Sequence, residues 1–358
     1  MNPVFGEASR VVVVLAAMLL LACPEIATPQ TNVDAQGSVA VPPFTVPFSS
    51  YASPEARRMF QRMLVEGRDA PPLGGPVAAS RAYYDKINTA RADLMRRLYP
   101  VKIEKRIIGG VPTQVVTPNP GVARDQANRV LINLHGGAFL WGADAGGLVE
   151  SIPVASVGRI EVITVDYRQG PEHVFPAASE DVAAVYRELL KSYPAKNIGI
   201  YGCSAGGGLT GEAVAWFIHE KLPVPGAIGI FCASVVDVGG DSAYIAPVLD
   251  GEPPPTSVLK FADLPYFKGA DPKDPLVFPA NSQALLAKFP PTLLITGTRD
   301  FAMSSAIQSQ RLLTDAGVDA ELHVWDGMWH SFFSDPEMPE SKEAYAVMVK
   351  FFDRHLGR

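Results

Sequence analysis

The feature that most constrains this chain is the run Gly202-Cys-Ser-Ala-Gly206, set directly behind the apolar segment Asn197-Ile-Gly-Ile-Tyr201. G-x-S-x-G at the end of a strand reads as a sharp strand-to-helix turn that pushes one serine, Ser204, out of the backbone curve. Small residues are needed on both sides, because a side chain at Gly202 or Gly206 would clash across the bend. A chain that makes this turn must supply a strand before it and a helix after it, and the helix is expected from Ala205 onward.

A serine hydroxyl is a weak nucleophile until an imidazole takes its proton. The imidazole in turn needs a carboxylate to hold its tautomer and stabilise its cation. Both partners follow in the chain. Thr292-Leu-Leu-Ile-Thr296 reads as a buried strand ending in Gly297-Thr-Arg-Asp300. Ala320-Glu-Leu-His-Val-Trp325 reads as a strand ending in Asp326-Gly-Met-Trp-His330. Ser204, Asp300 and His330 are therefore the catalytic candidates. Asp237 also follows a strand and is the rival acid, but a helix and a strand between Asp300 and His330 favour Asp300. His323 falls within a strand and His355 near the end of a terminal helix, where structural roles are expected.

Upstream, Arg129-Val-Leu-Ile-Asn-Leu134 runs into His135-Gly-Gly-Ala-Phe139. Successive small residues let backbone N–H groups turn toward one point, where together with the N–H of Ala205 they can hold a tetrahedral oxyanion. Ala205 also opens a helix, whose dipole adds positive potential there.

Apolar runs alternate with helical stretches along most of the chain. Strands are expected at 129–134, 161–165, 198–201, 226–231, 292–296 and 320–325, preceded by a hairpin of 101–108 and 111–116 around Gly109-Gly110. Helices are expected at 178–192, 205–221, 304–316 and 341–356. This alternation implies an α/β fold with a mostly parallel, doubly wound sheet. Sites on such sheets lie at the carboxyl ends of strands, where all three candidates fall. Two further helical segments lie between 53 and 99, with Pro54 at a first helical position. Residues 237–279 break the alternation with Pro, Gly and Asp, interspersed with aromatics. An insertion of this length usually serves as a lid or binding loop.

Three stretches carry a resemblance. His135-Gly-Gly-Ala, Asp166-Tyr-Arg-Gln-Gly-Pro-Glu-His-Val-Phe-Pro-Ala-Ala-Ser-Glu-Asp181 and Gly202-Cys-Ser-Ala-Gly-Gly207 resemble the hormone-sensitive-lipase-like (family IV) bacterial carboxylesterases. The resemblance runs from about Val101 to the C-terminus. It implies an α/β-hydrolase fold with a helical cap and cofactor-free hydrolysis of short-chain esters or lactones. By motif position Ser204, Asp300 and His330 would be the triad, with Gly136, Gly137, Ala138 and Ala205 around the oxyanion. Glu172 and Asp166 resemble the family's loop-bracing acids. The chain departs from the pattern at Ala138, where a third glycine is usual, and at Cys203, where Asp is common. It departs again after Asp300, where Phe-Ala-Met replaces a Pro-Leu continuation. Non-catalytic ligand binding on the same fold, and amidase or acyltransferase chemistry, are the alternatives. The former would be expected to have lost a triad member.

Composition bounds the rest. A 47% hydrophobic and 19% charged chain is globular rather than disordered. A net charge of −6 without a basic patch argues against a nucleic-acid partner. The six histidines are scattered without metal-ligand spacing, so no metal is expected. Residues 1–22 contain the apolar run Val11 to Ala22 behind Arg10, too short to span a bilayer and the right size for a signal-peptide core. Export, to the periplasm or beyond, is expected. Leu20-Leu-Ala-Cys23 makes Cys23 a candidate lipid-bearing residue that would anchor the protein to a membrane. The expected layout is then a linker at 23–50, cap helices at 51–100 and a core at 101–358 with its insertion at 237–279. Cys203 and Cys232 are expected to be free thiols.

Overall fold

Side-chain alternation along the central strands builds the fold. In β3 (Val130–Leu134), Val130, Ile132 and Leu134 enter one core and Leu131 the opposite one. In β5 (Ile198–Cys203), Ile198 and Ile200 face the first core, Tyr201 and Cys203 the second. Strands buried on both faces need apolar residues in both registers, which is why these segments read as continuous apolar runs.

The computed structural model describes residues 33–41, 43–119 and 121–357. It has an eight-stranded sheet in the order β1-β2-β4-β3-β5-β6-β7-β8. The remaining strands are β1 (Val101–Ile108), β2 (Val111–Pro118), β4 (Glu161–Val165), β6 (Ala227–Phe231), β7 (Thr292–Arg299) and β8 (Ala320–Trp329). β1 pairs antiparallel with β2 and β2 antiparallel with β4, and every other pairing is parallel. The α/β-hydrolase sheet expected from the sequence is thus present.

Helices α4 (Ala177–Leu189), α5 (Ala205–His219) and α8 (Met303–Asp315) pack on one face. Helices α1 (Pro54–Glu66), α2 (Val77–Leu98), α3 (Ala145–Gly158) and α9 (Pro339–His355) contribute to the core on the other. The two segments expected between 53 and 99 are α1 and α2. Ser53 caps α1 by accepting the Ala56 N–H at 3.0 Å, and Glu340 accepts from the Ser53 backbone and hydroxyl.

The longest of the helices without a counterpart in the sequence expectation is α3. It is buried on nearly every side, carries Gly146, Gly147 and Pro153, and so shows no amphipathic stripe to read. The insertion at 237–279 contains α6 (Ser242–Leu249) and short 3-10 turns, followed outside it by α7 (Gln283–Leu286).

The residues from Phe48 onward form one compact unit. In the preceding unit, Asp34 accepts from the N–H groups of Gln36 and Ser38 at 2.9 and 2.8 Å, closing a turn beside a Val33–Val39 bridge. The expected signal peptide and Cys23 lie outside the described residues. Among the described residues no helix is long and apolar enough to cross a membrane.

Candidate active site

The turn after β5 holds Ser204 at φ 57° and ψ −122°. A non-glycine residue there costs on the order of 1–3 kcal/mol, and surrounding bonds must hold it. Ser204 N–H donates to the Phe231 carbonyl at 2.8 Å, and its own carbonyl accepts the Gly208 N–H at 3.0 Å. A Cβ at Gly206 would overlap the Leu134 carbonyl, and one at Gly202 would overlap both that carbonyl and the backbone of Gly206. The spacing of the motif is therefore a backbone-packing requirement between β3, β5 and α5.

β7 runs through Arg299, placing Asp300 immediately beyond its carboxyl end, and β8 runs through Trp329, placing His330 beyond its own. His330 Nδ1 and Asp300 Oδ1 are 2.7 Å apart. Asp300 is fully buried. Its Oδ1 also accepts the Ala302 N–H at 2.9 Å, and its Oδ2 accepts the Thr296 hydroxyl at 2.8 Å. Burial opposes its ionisation, but the adjoining imidazole and these donors outweigh burial and hold the carboxyl below its ordinary range. The rival Asp237 is elsewhere engaged: its Oδ1 accepts the N–H groups of Phe261 and Val238 at 2.8 and 2.7 Å, bracing the insertion.

The residues next to Ser204 and His330 in the chain touch one another. Cys203 Sγ lies 2.8 Å from Ser331 Oγ, and Ser331 N–H donates to Cys232 Sγ at 3.2 Å. Phe301 stacks on the His330 ring at 4.4 Å. Among the described residues the Ser204 hydroxyl has no hydrogen-bond partner, so a Ser204–His330 hydrogen bond is not formed in this structure. Such contacts are often loose in unliganded enzymes and tighten with substrate. Cys203 and Cys232 are both buried free thiols, and burial pushes both above the ordinary thiol range.

Facing the turn is the loop after β3. Ala138 and Phe139 take φ 52° and 58°, and the Gly137 carbonyl accepts the N–H groups of Leu140 and Trp141 at 2.8 and 3.0 Å. The loop thus folds on itself, and among the described residues the N–H groups of Gly137 and Ala138 have no acceptor, like that of Ala205. Gly136 corrects the sequence expectation. It lies against Ser204, but its N–H donates to Glu150 Oε1 at 2.9 Å and is not available to an oxyanion. Glu150 is on α3, the helix the sequence did not reveal, and only a buried acid at that position could have signalled it.

His135 is buried, stacks on Tyr167 at 4.4 Å and holds the Gly136 carbonyl at 2.8 Å through Nδ1. Burial pushes its pKa down, which keeps the ring neutral. Asp166 accepts the Asp144 N–H at 2.7 Å, and Glu172 pairs with Arg81, which holds its carboxyl down to about 2. Both acids brace loops, as their positions suggested.

Three aromatic side chains lie close to the catalytic motifs in the chain: Trp141 stacks on Tyr84 at 4.7 Å and Trp329 packs on Phe60 at 5.5 Å. Phe139 stacks on Tyr266 of the insertion at 4.7 Å and meets Phe261 edge-on at 6.3 Å. Phe261 would touch a Cβ placed at Gly208, one turn beyond Ser204. The insertion therefore packs beside the Ser204 turn.

Cys232, Asp300 and His330 bring potential metal-ligand atoms within 4.8 Å of one another. All three are already engaged, Asp300 with His330 and Cys232 with the Ser331 N–H.

Comparison with known proteins agrees with this fold. A family model described as an alpha/beta hydrolase fold matches residues 131–334. The chain is 30% identical over 259 residues to the putative acetyl-hydrolase LipR of Mycobacterium tuberculosis, covering 71% of this chain and 81% of that one. It is 29% identical to an acetyl-hydrolase of Streptomyces hygroscopicus, covering 65% and 78%. Among solved structures, esterase E25 aligns with a TM-score of 0.75 at 31% identity over 89% of this chain and 99% of that one. An esterase from the bacterial hormone-sensitive lipase family aligns at 0.73 and 29% identity, over 85% and 99%.

Proposed function

The chain belongs to the α/β-hydrolase-fold family, in its hormone-sensitive-lipase-like group of esterases, and we propose that it is a serine carboxylesterase whose triad is Ser204, His330 and Asp300. The observation that supports this reading is the 2.7 Å Asp300–His330 hydrogen bond, together with the contact between Ser331, next to His330, and Cys203, next to Ser204.

Ser204 Oγ attacks the ester carbonyl while His330 takes its proton and Asp300 stabilises the imidazolium. The carbonyl oxygen becomes an oxyanion facing the N–H groups of Gly137, Ala138 and Ala205. Collapse expels the alcohol, which takes the proton from His330 and leaves Ser204 acylated. Water, deprotonated by His330, then attacks the acyl-enzyme and releases the acid. No step needs a cofactor. Relatives named acetyl-hydrolases, together with the aromatic packing of the insertion beside the turn, support small esters with short acyl chains as substrates. The N-terminal apolar run from Val11 to Ala22 supports export.

The test is hydrolysis of p-nitrophenyl esters of increasing acyl length by the wild type and Ser204→Ala. Turnover that falls with acyl length and vanishes in the variant is expected. Equal slow turnover in both proteins would reject the reading and leave a ligand-binding protein on this fold.

A further inference from the structure

The β3–β5 ladder ends at the pair Leu134–Gly202. Beyond it both strands leave the sheet, β3 into the loop that carries Gly137 and Ala138, β5 into the turn that carries Ser204. Ser204 N–H points to the β6 side, where it meets the Phe231 carbonyl. The Cys203 N–H faces the opposite side, where β3 has already turned away.

One carboxylate fills that gap. Glu150 Oε1 accepts the Gly136 N–H at 2.9 Å, and Glu150 Oε2 accepts the Cys203 N–H at 3.1 Å. Oε2 also accepts Asn133 Nδ2 at 3.0 Å, and the Thr164 hydroxyl on Asn133 Oδ1 at 2.8 Å fixes that amide. The Glu150 carbonyl accepts the Tyr201 hydroxyl at 3.2 Å, which ties α3 to β5 a second time. Val149 and Ser151 on either side are buried, so the helix cannot shift freely.

We propose that Glu150 is a positioning residue for acyl transfer: its carboxylate replaces the missing rung of the ladder and sets the spacing between the oxyanion donors and Ser204. This rests on the esterase reading above. Gly136 immediately precedes Gly137 and Ala138, and Cys203 immediately precedes Ser204, so the two contacts of one carboxylate fix the two halves of the site. All three side-chain contacts of Glu150 are donors, which only an acceptor at both oxygens can satisfy. Glutamine has the same shape but presents an amide NH2 to one of these donors in either orientation. Burial disfavours the charge on Glu150, but its three side-chain partners are all donors and give a carboxyl proton no acceptor, so the contacts fit the ionised form.

The test compares Glu150→Gln and Asn133→Ala with the wild type, with rates normalised to sites titrated by an organophosphate. The readouts are kcat, KM and the affinity of a trifluoromethyl ketone, which forms an oxyanion adduct on the serine. A misplacement of about 1 Å costs ~10²-fold, so Glu150→Gln should lose kcat by roughly that factor. KM should stay within about threefold, because the loss is confined to the transition state, and ketone affinity should fall with kcat. Asn133→Ala, which removes one donor and leaves both backbone contacts, should lose kcat severalfold in the same pattern. It decides the matter alone if the glutamine variant does not fold. Unchanged kcat and ketone affinity per titrated site, or a loss confined to KM, would overturn the positioning role while wild-type turnover stands. A wild type without turnover would instead overturn the esterase reading.

Discussion

Asp300 is fully buried, His330 is 24% exposed, and a single 2.7 Å hydrogen bond joins them. The acid is sealed in the protein while the base reaches the site. Thr296 and Ala302 each donate to one oxygen of Asp300, which holds the carboxyl facing the imidazole.

Asp300→Asn keeps the shape and removes the charge. The amide no longer stabilises an imidazolium and leaves the imidazole free to take the wrong tautomer. By analogy with serine proteases kcat should fall ~10⁴-fold with KM little changed. Steady-state kinetics on p-nitrophenyl acetate checks this, and a loss below about tenfold would return Asp237 to consideration as the acid.

The same residue has a pH signature in stability. The Asp300 carboxyl is held below its ordinary value of 3.8, so the unfolded chain binds its proton first as pH falls. Its contribution is therefore fully present above that value and lost as pH drops through the folded one. The gap in urea midpoint between wild type and Asp300→Asn should be open near about pH 5 and narrow as the pH falls below 3.8. A gap that widens on acidification would mean the carboxyl is shifted upward by burial instead.

The central sheet was legible because its strands are short apolar runs bounded by Gly, Pro and Asp, and strand 161–165 matches its expected bounds. The Ser204 turn was legible because its glycines are forced by backbone contact with Leu134. The sequence stopped the last strand at Trp325, whereas β8 continues through Asp326-Gly327 to Trp329 beside a register shift near Gly297. Turn-forming residues were overridden there by pairing with β7. α3 was illegible for a different reason: a helix buried on nearly every side has no polar stripe, and its glycines and proline argue for a loop. Missing α3 meant missing Glu150, and without Glu150 the Gly136 N–H looked free. The error in the oxyanion set follows from the error in secondary structure.

Ala138 occupies φ 52°, where the family pattern has glycine. A Cβ in this region costs about 1–2 kcal/mol. Ala138→Gly would relieve that, but it frees the unfolded chain by about 0.5–1 kcal/mol and removes a partly packed methyl worth about 0.8 kcal/mol. The terms nearly cancel, so Ala138→Gly should lie within about 1 kcal/mol of wild type. Ala138→Val places a branched Cβ at positive φ and should destabilise by about 2 kcal/mol or more, with a loss of kcat as the loop distorts. Thermal melts of both variants check the order. A valine variant as stable as wild type would mean the loop does not hold this conformation.

Arg81 on α2 reaches across to the other side of the same loop. Its Nε donates to the Leu140 carbonyl at 2.8 Å, and Nη2 donates to the Gly170 carbonyl at 2.9 Å while also meeting Glu172 Oε2 at 2.7 Å. The ion pair alone is worth little, since the Arg81 and Glu172 side chains are 34% and 54% exposed and exposed pairs contribute about 0–1 kcal/mol. The two carbonyls matter more, because each loses a charged donor. Arg81→Ala should therefore destabilise by about 1–3 kcal/mol, more than Glu172→Ala, which leaves both carbonyl bonds in place. Because Leu140 closes the loop that begins at Gly137, kcat should also fall severalfold in Arg81→Ala and much less in Glu172→Ala. Arg81→Lys should not recover the loss, since a single ammonium cannot reproduce the planar fork that meets two carbonyls and a carboxylate. Urea denaturation and steady-state kinetics of the three variants separate these terms. Equal effects from Arg81→Ala and Glu172→Ala would assign the contribution to the ion pair and remove the loop from the argument.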